Sequence, residues 1–264
     1  MVRSFTYSAL VLRVRSSGES NREAYFLTAE EGILRATVFG GPKSRLRAHV
    51  TPFHRGTLWL YHDPVRDSRK VTDFDVQSWR PGIRELYERS TTAAAVAETI
   101  LASHGGGGSW VEALTLADRA LDALEGADES CCMRIFIHFL WNWLDLLGLR
   151  PELNRCASCA CEAAGDGLLW YIKREGVLLC PSCAGLPGIL EQPRGPLSPA
   201  GSEASLPLGP GARRWLGAVQ DLAPSLLARY TLDESSLSQA KALTTELLSA
   251  ALGRRLISWD LKNG

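Results

Sequence analysis

The first 80 residues place apolar and polar positions in the two-residue alternation of half-buried strands. Over residues 9–15, Leu10, Leu12 and Val14 fall on one side and Val11, Arg13 and Arg15 on the other. That pattern predicts a core face and a face that carries two arginines into solvent. Residues 19–22 read as a hairpin turn, and further β-rich stretches recur at 24–28, 33–39, 57–62 and 71–79. The stretch PKSRLRAHVTPF separates the third from the fourth and is long enough for a short helix or a wide loop. Five strands with that interruption suit a small closed barrel of the OB type, with an SH3-like barrel as the rival on pattern alone.

After Pro81 the pattern changes. Residues 83–103 are rich in Ala, Glu, Leu and Arg, as helices are, and the glycines at 105–108 break the chain before helices expected at 110–125 and 129–148. A cysteine-rich segment follows, then a Pro- and Gly-dense stretch at 187–211 that reads as a linker or long loop. Two helical stretches, near 212–229 and 235–253, finish the chain. The expected class is therefore α+β and multidomain: an OB-type barrel (1–80), a helical region (81–150), a four-cysteine module (151–186), and a linker leading to a second helical part (187–264).

Composition narrows this further. With 264 residues, 45% of them apolar and 22% charged, the chain can build a real core and is not expected to be disordered. The opening MVRSFTYSALVLRVR has no long apolar stretch and no small-residue cleavage site, so no export leader is expected. The longest apolar run, 135–149, is interrupted by His138, Asn142 and Asp145 and reads as a core helix, not a membrane span. The expected compartment is the reducing cytoplasm, where cysteines bind metal more often than they form disulfides. The formal net charge is zero, yet residues 1–80 hold 13 Lys/Arg against 8 Asp/Glu. An excess of cations confined to the barrel suggests that the two parts of the chain meet different partners.

Two features carry candidate chemistry. Cys156, Cys159, Cys180 and Cys183 are spaced C-x2-C-x20-C-x2-C. Each CxxC turn presents two thiolates on one side of a knuckle, and two knuckles complete a tetrahedron around Zn²⁺. The segment LLWYIKREGVLL between them reads as a hairpin turning near Glu175 and Gly176. Four thiolates leave no position for water or substrate, which makes the zinc structural and not catalytic. A site without metal and a redox pair are the alternatives. Cys161 is either a competing ligand or a spare thiol, and Cys131 and Cys132 read as core packing.

The second feature is basic. Residues 32–62 contain no Asp or Glu, but they contain Arg35, Lys43, Arg45, Arg47, Arg55 and three histidines. Cations gathered in a loop or short helix grip phosphate, and phosphate neutralisation dominates affinity for nucleic acid. Phe39, Phe53, Trp59 and Tyr61 offer stacking faces, although most of them read as barrel core. The alternative is a solvated charged loop over a hydrophobic barrel. His138 reads as a core histidine, and His49, His54 and His62 lack acidic neighbours at metal-ligand spacing. No P-loop, GxSxG or HExxH motif is present, and nothing marks an active site, so no enzyme is expected.

These pieces resemble the bacterial recombination-mediator family RecO. YSALVLRVRSSGESNREAYFLTAEEGIL resembles the family's opening strands, with Asn21 in the turn where Asp is usual. GGPKSRLRAHVTPF resembles its basic loop, LGLRPELNRCASC with GVLLCPSC its zinc segment, and ALGRRLIS its closing helix. The resemblance spans nearly the whole chain, with residues 184–234 matching poorly. It implies an OB barrel, a helical domain and a zinc module, in a protein of the nucleoid and cytoplasm with no membrane association. It implies a non-enzymatic DNA repair protein that binds single- and double-stranded DNA and anneals complementary strands. It further implies that, with RecR and often RecF, such a protein assists the recombinase RecA on DNA coated by single-stranded DNA-binding protein, whose acidic C-terminal tail it binds through the helical domain. The matching DNA-binding positions are Arg13, Arg15 and Arg22 on the early strands and turn, with Lys43, Arg45 and Arg47 of the loop; Arg35 and Arg55 join them by local charge. The rival is a zinc-stabilised OB-fold protein that binds RNA or serves as a protein-interaction adaptor without strand annealing.

Overall fold

The computed structural model describes residues 3–18, 21–41, 44–106, 108–163, 167–185 and 205–259. The chain forms two compact units, Met1–Phe139 with Leu256–Gly264, and Leu140–Arg255. These units cut the chain differently from the four stretches expected above, because the first two helices after the barrel group with it.

In the first unit, strands β1 (Ser4–Ser17), β2 (Asn21–Thr28), β3 (Gly32–Val38), β4 (Arg55–Asp63) and β5 (Ser68–Ser78) close a barrel in the order β1-β2-β3-β5-β4. Helix α1 (Arg45–His49) lies between β3 and β4. β3 and β5 pair in parallel at Thr37 and Lys70, and the remaining neighbours are antiparallel. This order, with its helix after the third strand, is the OB arrangement and sets aside the SH3-like alternative. The interior is filled by Tyr7, Ala9, Val11, Phe26, Leu58 and Phe74 with their neighbours.

The alternation read for β1 is interrupted by a bulge. Val11 pairs with Phe26 and Arg13 with Tyr25, which leaves Leu12 as the extra residue. The bulge reverses the parity of the strand, so Val11 enters the core while Val14, further along, packs against it from the same side. Leu10, expected inside, is buried on the outer surface instead, as is Leu27 of β2. Helices α2 (Tyr87–Ala102) and α3 (Trp110–Glu125) cover this surface, packing on each other and on β1, with α3 also on β2. Gly32, at φ +70, lets the Trp110 ring approach so closely that an added Cβ would lie 2.8 Å from it.

Arg80 joins these layers. Its side chain is fully buried, and its guanidinium donates to the Phe53 carbonyl at 2.8 Å, to Asp122 at 2.7 Å and to Asp118, both carboxylates one turn apart on α3. Arg89 caps the end of α3 by donating to the carbonyls of Glu125 and Ala127. Helix α4 (Glu129–Leu146) begins in this unit. Trp259 meets Phe136 edge-on, and the Ser258 amide donates to Glu98, which explains why the end of the chain groups here. Cys131, Cys132 and His138 are buried in α4, as expected of core residues.

In the second unit, β6 (Leu169–Ile172) and β7 (Val177–Leu179) form the expected hairpin, its turn closed by the Glu175 and Gly176 amides on the Ile172 carbonyl. A third strand, β8 (Ser205–Leu208), pairs with β6 on its other edge. A strand near the end of the stretch read as a linker was thus not expected, and residues 187–204 of that stretch lie outside the described residues. Helix α5 (Pro181–Ala184) follows β7, and α6 (Pro210–Val219) and α7 (Glu234–Leu252) pack together, with α7 against β8. Among the described residues, no helix is long and apolar enough to cross a membrane.

Candidate functional site

The cysteine cluster belongs wholly to the second unit. The Sγ atoms of Cys156, Cys159, Cys180 and Cys183 all lie within 4.8 Å of one another, and they are the one such group among the described residues. Those of Cys159 and Cys180 are 3.9 Å apart, close to the roughly 3.8 Å edge of a tetrahedron with about 2.3 Å Zn–S bonds. The backbone builds the first knuckle. The Cys156 amide donates to the Cys161 carbonyl, the Ala160 amide to the Cys156 carbonyl, and Ala160 takes a left-handed φ of 56° to close the turn. The Ala157 amide donates to Leu178 of β7, which fixes this knuckle to the hairpin that presents the second.

The electrostatics suit a cation. Burial pushes the Cys156 thiol up, but the N–H groups of Cys159, Cys180 and Ser158 more than offset it and hold its pKa at about 6. The Cys183 thiol is pushed up to about 12, first by its hydrogen bond to Cys159 and then by Cys180. Clustered thiolates repel one another, and a divalent ion removes that penalty. Cys161 lies beside the set with its Sγ 3.2 Å from that of Cys159, and the contact pushes its pKa to about 12. It is not one of the four sulfurs that all lie within 4.8 Å of one another. The knuckle is held from behind by buried Arg213 of α6, whose guanidinium donates to the carbonyls of Leu153, Ala163 and Gly167. Nothing in the cysteine spacing announced that arginine.

The basic residues belong to the barrel unit, and the strand register sorts them. After the bulge, Arg13 stands opposite Tyr25 of β2, which stands opposite Arg35 of β3. Arg35 alternates with Leu34 and Ala36 of the core, and its side chain is 66% exposed. One register step along, Arg15 pairs with Glu23, Glu23 with Thr37, and Thr37 with Lys70. The outer surface of β1, β2 and β3, with the start of β5, therefore carries Arg13, Arg15, Arg35 and Lys70 around a single carboxylate. Glu23 meets Arg35 at 3.5 Å and accepts from the Tyr25 hydroxyl at 2.9 Å. Lys70 lies over the exposed ring of Phe39, 5.3 Å from its centroid. Lys70 was missed in the sequence because its place beside β3 depends on a parallel pairing that no local pattern encodes.

The other expected positions are spread around the unit. Arg22 falls on the inward parity of β2, beyond Ala24 and opposite Val38, at the rim of the barrel and not on the outer row. Arg45 and Arg47 lie on α1, where Arg45 donates to His49 and Arg47 to the Gly40 carbonyl. Lys43 and the turn residues Glu19 and Ser20 lie outside the described residues. Arg55 is occupied internally. It donates to Ser8, Ala9 and Gly56, lies 3.8 Å from Asp118 of α3, and is only 15% exposed, so it holds strand to helix instead of facing phosphate. The aromatics expected in the core are at the surface: Phe39 and Trp59 are exposed, and Phe53 and Tyr61 half-buried. Trp59 sits opposite Asp73, on a neutral to acidic part of the surface away from the arginine row.

Two family models together span most of the chain. Residues 1–77 match the family model for the recombination protein O N terminal, and residues 84–260 that for its C terminal. The chain belongs to the RecO family. It is 30% identical to the DNA repair protein RecO of Anaeromyxobacter sp. (strain K) over 94% of this chain and 92% of that protein. The DNA repair protein RecO of Rubrobacter xylanophilus is also 30% identical, over 77% of this chain and 82% of the relative. That of Heliobacterium modesticaldum is 27% identical over 98% and 89%. The family membership agrees with the barrel, the helical region and the four-cysteine cluster, the three parts read from the sequence.

Proposed function

We propose that this chain is a DNA-binding recombination mediator. It binds single- and double-stranded DNA, anneals complementary strands, and acts with RecR to help RecA load on DNA coated by single-stranded DNA-binding protein, whose acidic C-terminal tail the helical part engages. The observation that supports this most is the outer row of Arg13, Arg35, Arg15 and Lys70 on β1–β3 and β5 of an OB-type barrel. Oligonucleotides bind OB folds across this strand 2–3 surface and its flanking loops. Annealing brings two polyanions together, and a row of cations lowers their repulsion and releases counterions from both.

Arg13 and Arg35 stand two strand spacings apart, about 10 Å, with Tyr25 between them as a ring for a base to meet. Arg45 and Arg47 supply a second set of cations, on α1, apart from this row. The four cysteines hold Zn²⁺, with four sulfurs within 4.8 Å of one another and none of the coordination shell left for substrate. The metal orders the knuckles and hairpin and takes no part in a reaction; the protein binds and does not catalyse bond breaking.

A strand-annealing assay tests the reading. Complementary single strands, bare and coated with single-stranded DNA-binding protein, should anneal faster with this protein than without it in both states. No acceleration of bare strands would overturn the reading. Acceleration confined to bare strands would remove the mediator step and leave the DNA-binding one.

A further inference from the structure

A second aromatic position stands apart from the arginine row. Trp79 follows β5 and is 46% exposed. Its ring is held edge-on by two histidines, His49 at 5.3 Å and 87°, and His54 at 5.0 Å and 67°. Both are fixed. The His49 Nδ1 lies 2.8 Å from the Phe74 carbonyl, which accepts only, so that nitrogen carries the proton, and Nε2 accepts from Arg45 at 3.3 Å. His54, 4% exposed, donates from Nδ1 to the His49 carbonyl at 2.8 Å. On the C-terminal side the backbone is anchored at once by buried Arg80. A large ring is thus locked in position while nearly half of its surface faces water.

Its surroundings are cationic. Arg45 touches one of the two histidines, and Arg47 shares α1 with that same histidine, His49. Exposed Arg84 reaches the Pro52 carbonyl, two residues before His54. A tryptophan that only filled space would be covered, and one left open by chance would not be clamped from two sides. Rigid, exposed aromatic rings beside cations are how single strands are held without sequence preference, because every base has a π-face.

We infer that Trp79, clamped by His49 and His54 and flanked by Arg45 and Arg84, is a stacking platform for a nucleobase of single-stranded DNA. This deepens the DNA-binding reading above and rests on it. The platform is built from α1, the loop before β4 and the turn after β5, and the sequence pointed to none of its geometry.

Equilibrium binding of the full chain to a thymidine oligonucleotide, and to an abasic oligonucleotide with the same phosphates, tests the inference across a range of salt. Trp79→Ala should weaken binding to the thymidine strand by about fivefold or more, leave abasic binding unchanged, and keep the salt slope, since no charge is altered. Trp79→Phe should restore most of the loss, and unfolding of both variants in urea controls for stability. Equal affinity of wild type and Trp79→Ala for the thymidine strand would overturn the platform while leaving the DNA-binding reading intact. An equal loss on both strands would also overturn it, since it would mean a disturbed surface and not a lost stack. Wild type binding neither strand would overturn both.

Discussion

At the residue scale, one arginine shows how far a side chain's role departs from its type. The basic stretch 32–62 invited all its cations to a phosphate surface, and only the register separates them. Arg35 projects from the barrel, whereas Arg55, with the same side chain, is folded back onto Ser8, Ala9 and Asp118. Local charge density was legible in the sequence, but orientation was not, because it depends on which strand lies alongside. Arg80 is the extreme case. It holds a left-handed φ of 47°, which a residue with a Cβ adopts at a cost, because two aspartates and a carbonyl fix its guanidinium. Arg80→Leu should destabilise the first unit by about 3 kcal/mol, the low end for breaking a buried charge group, since Asp118 and Asp122 keep partial access to water. Arg80→Lys should recover only part of this, because a single ammonium cannot reproduce the fork. Urea unfolding measures both, and a neutral Leu variant would mean the cluster is ornamental to the fold.

At the element scale, hydrophobic periodicity located the strands and helices well, since each buries one side against a core. It misread what a period cannot carry. The bulge at Leu12 exchanges the inner and outer faces of β1, so three consecutive apolar residues, Leu10, Val11 and Leu12, are all buried, with Leu10 on the outer surface and Val11 in the core. Strand β8 hid inside a Pro- and Gly-rich stretch because it is short and finds its partner far along the chain. The cysteine module was legible because its chemistry needs fixed spacing. Metal analysis of the purified protein should give about one Zn²⁺ per chain. Cys161→Ser should leave that ratio unchanged, while Cys156→Ser should lower it and destabilise the second unit, because metal binding and folding are coupled. Loss of zinc from the Cys161 variant would make that thiol a ligand and displace one of the four.

At the scale of the whole molecule, the two candidate sites fall in different units. Four of the cations in residues 1–80 form a row on one outer surface of a closed barrel, and four cysteines gather in the second unit. The family could be read because both signatures are local. The row itself could not, since it joins three strands and the start of a fourth.

The most direct test of the account is the salt dependence of single-strand binding in the wild type and in a variant with Arg13, Arg15 and Arg35 all changed to Glu. The wild type should lose affinity linearly in log–log form as salt rises. The variant should bind more weakly, with a slope shallower by about 2, at roughly 0.7 for each phosphate that is no longer neutralised. A wild-type affinity that stays flat with salt, or a variant with an unchanged slope, would contradict the claim that this barrel surface holds DNA.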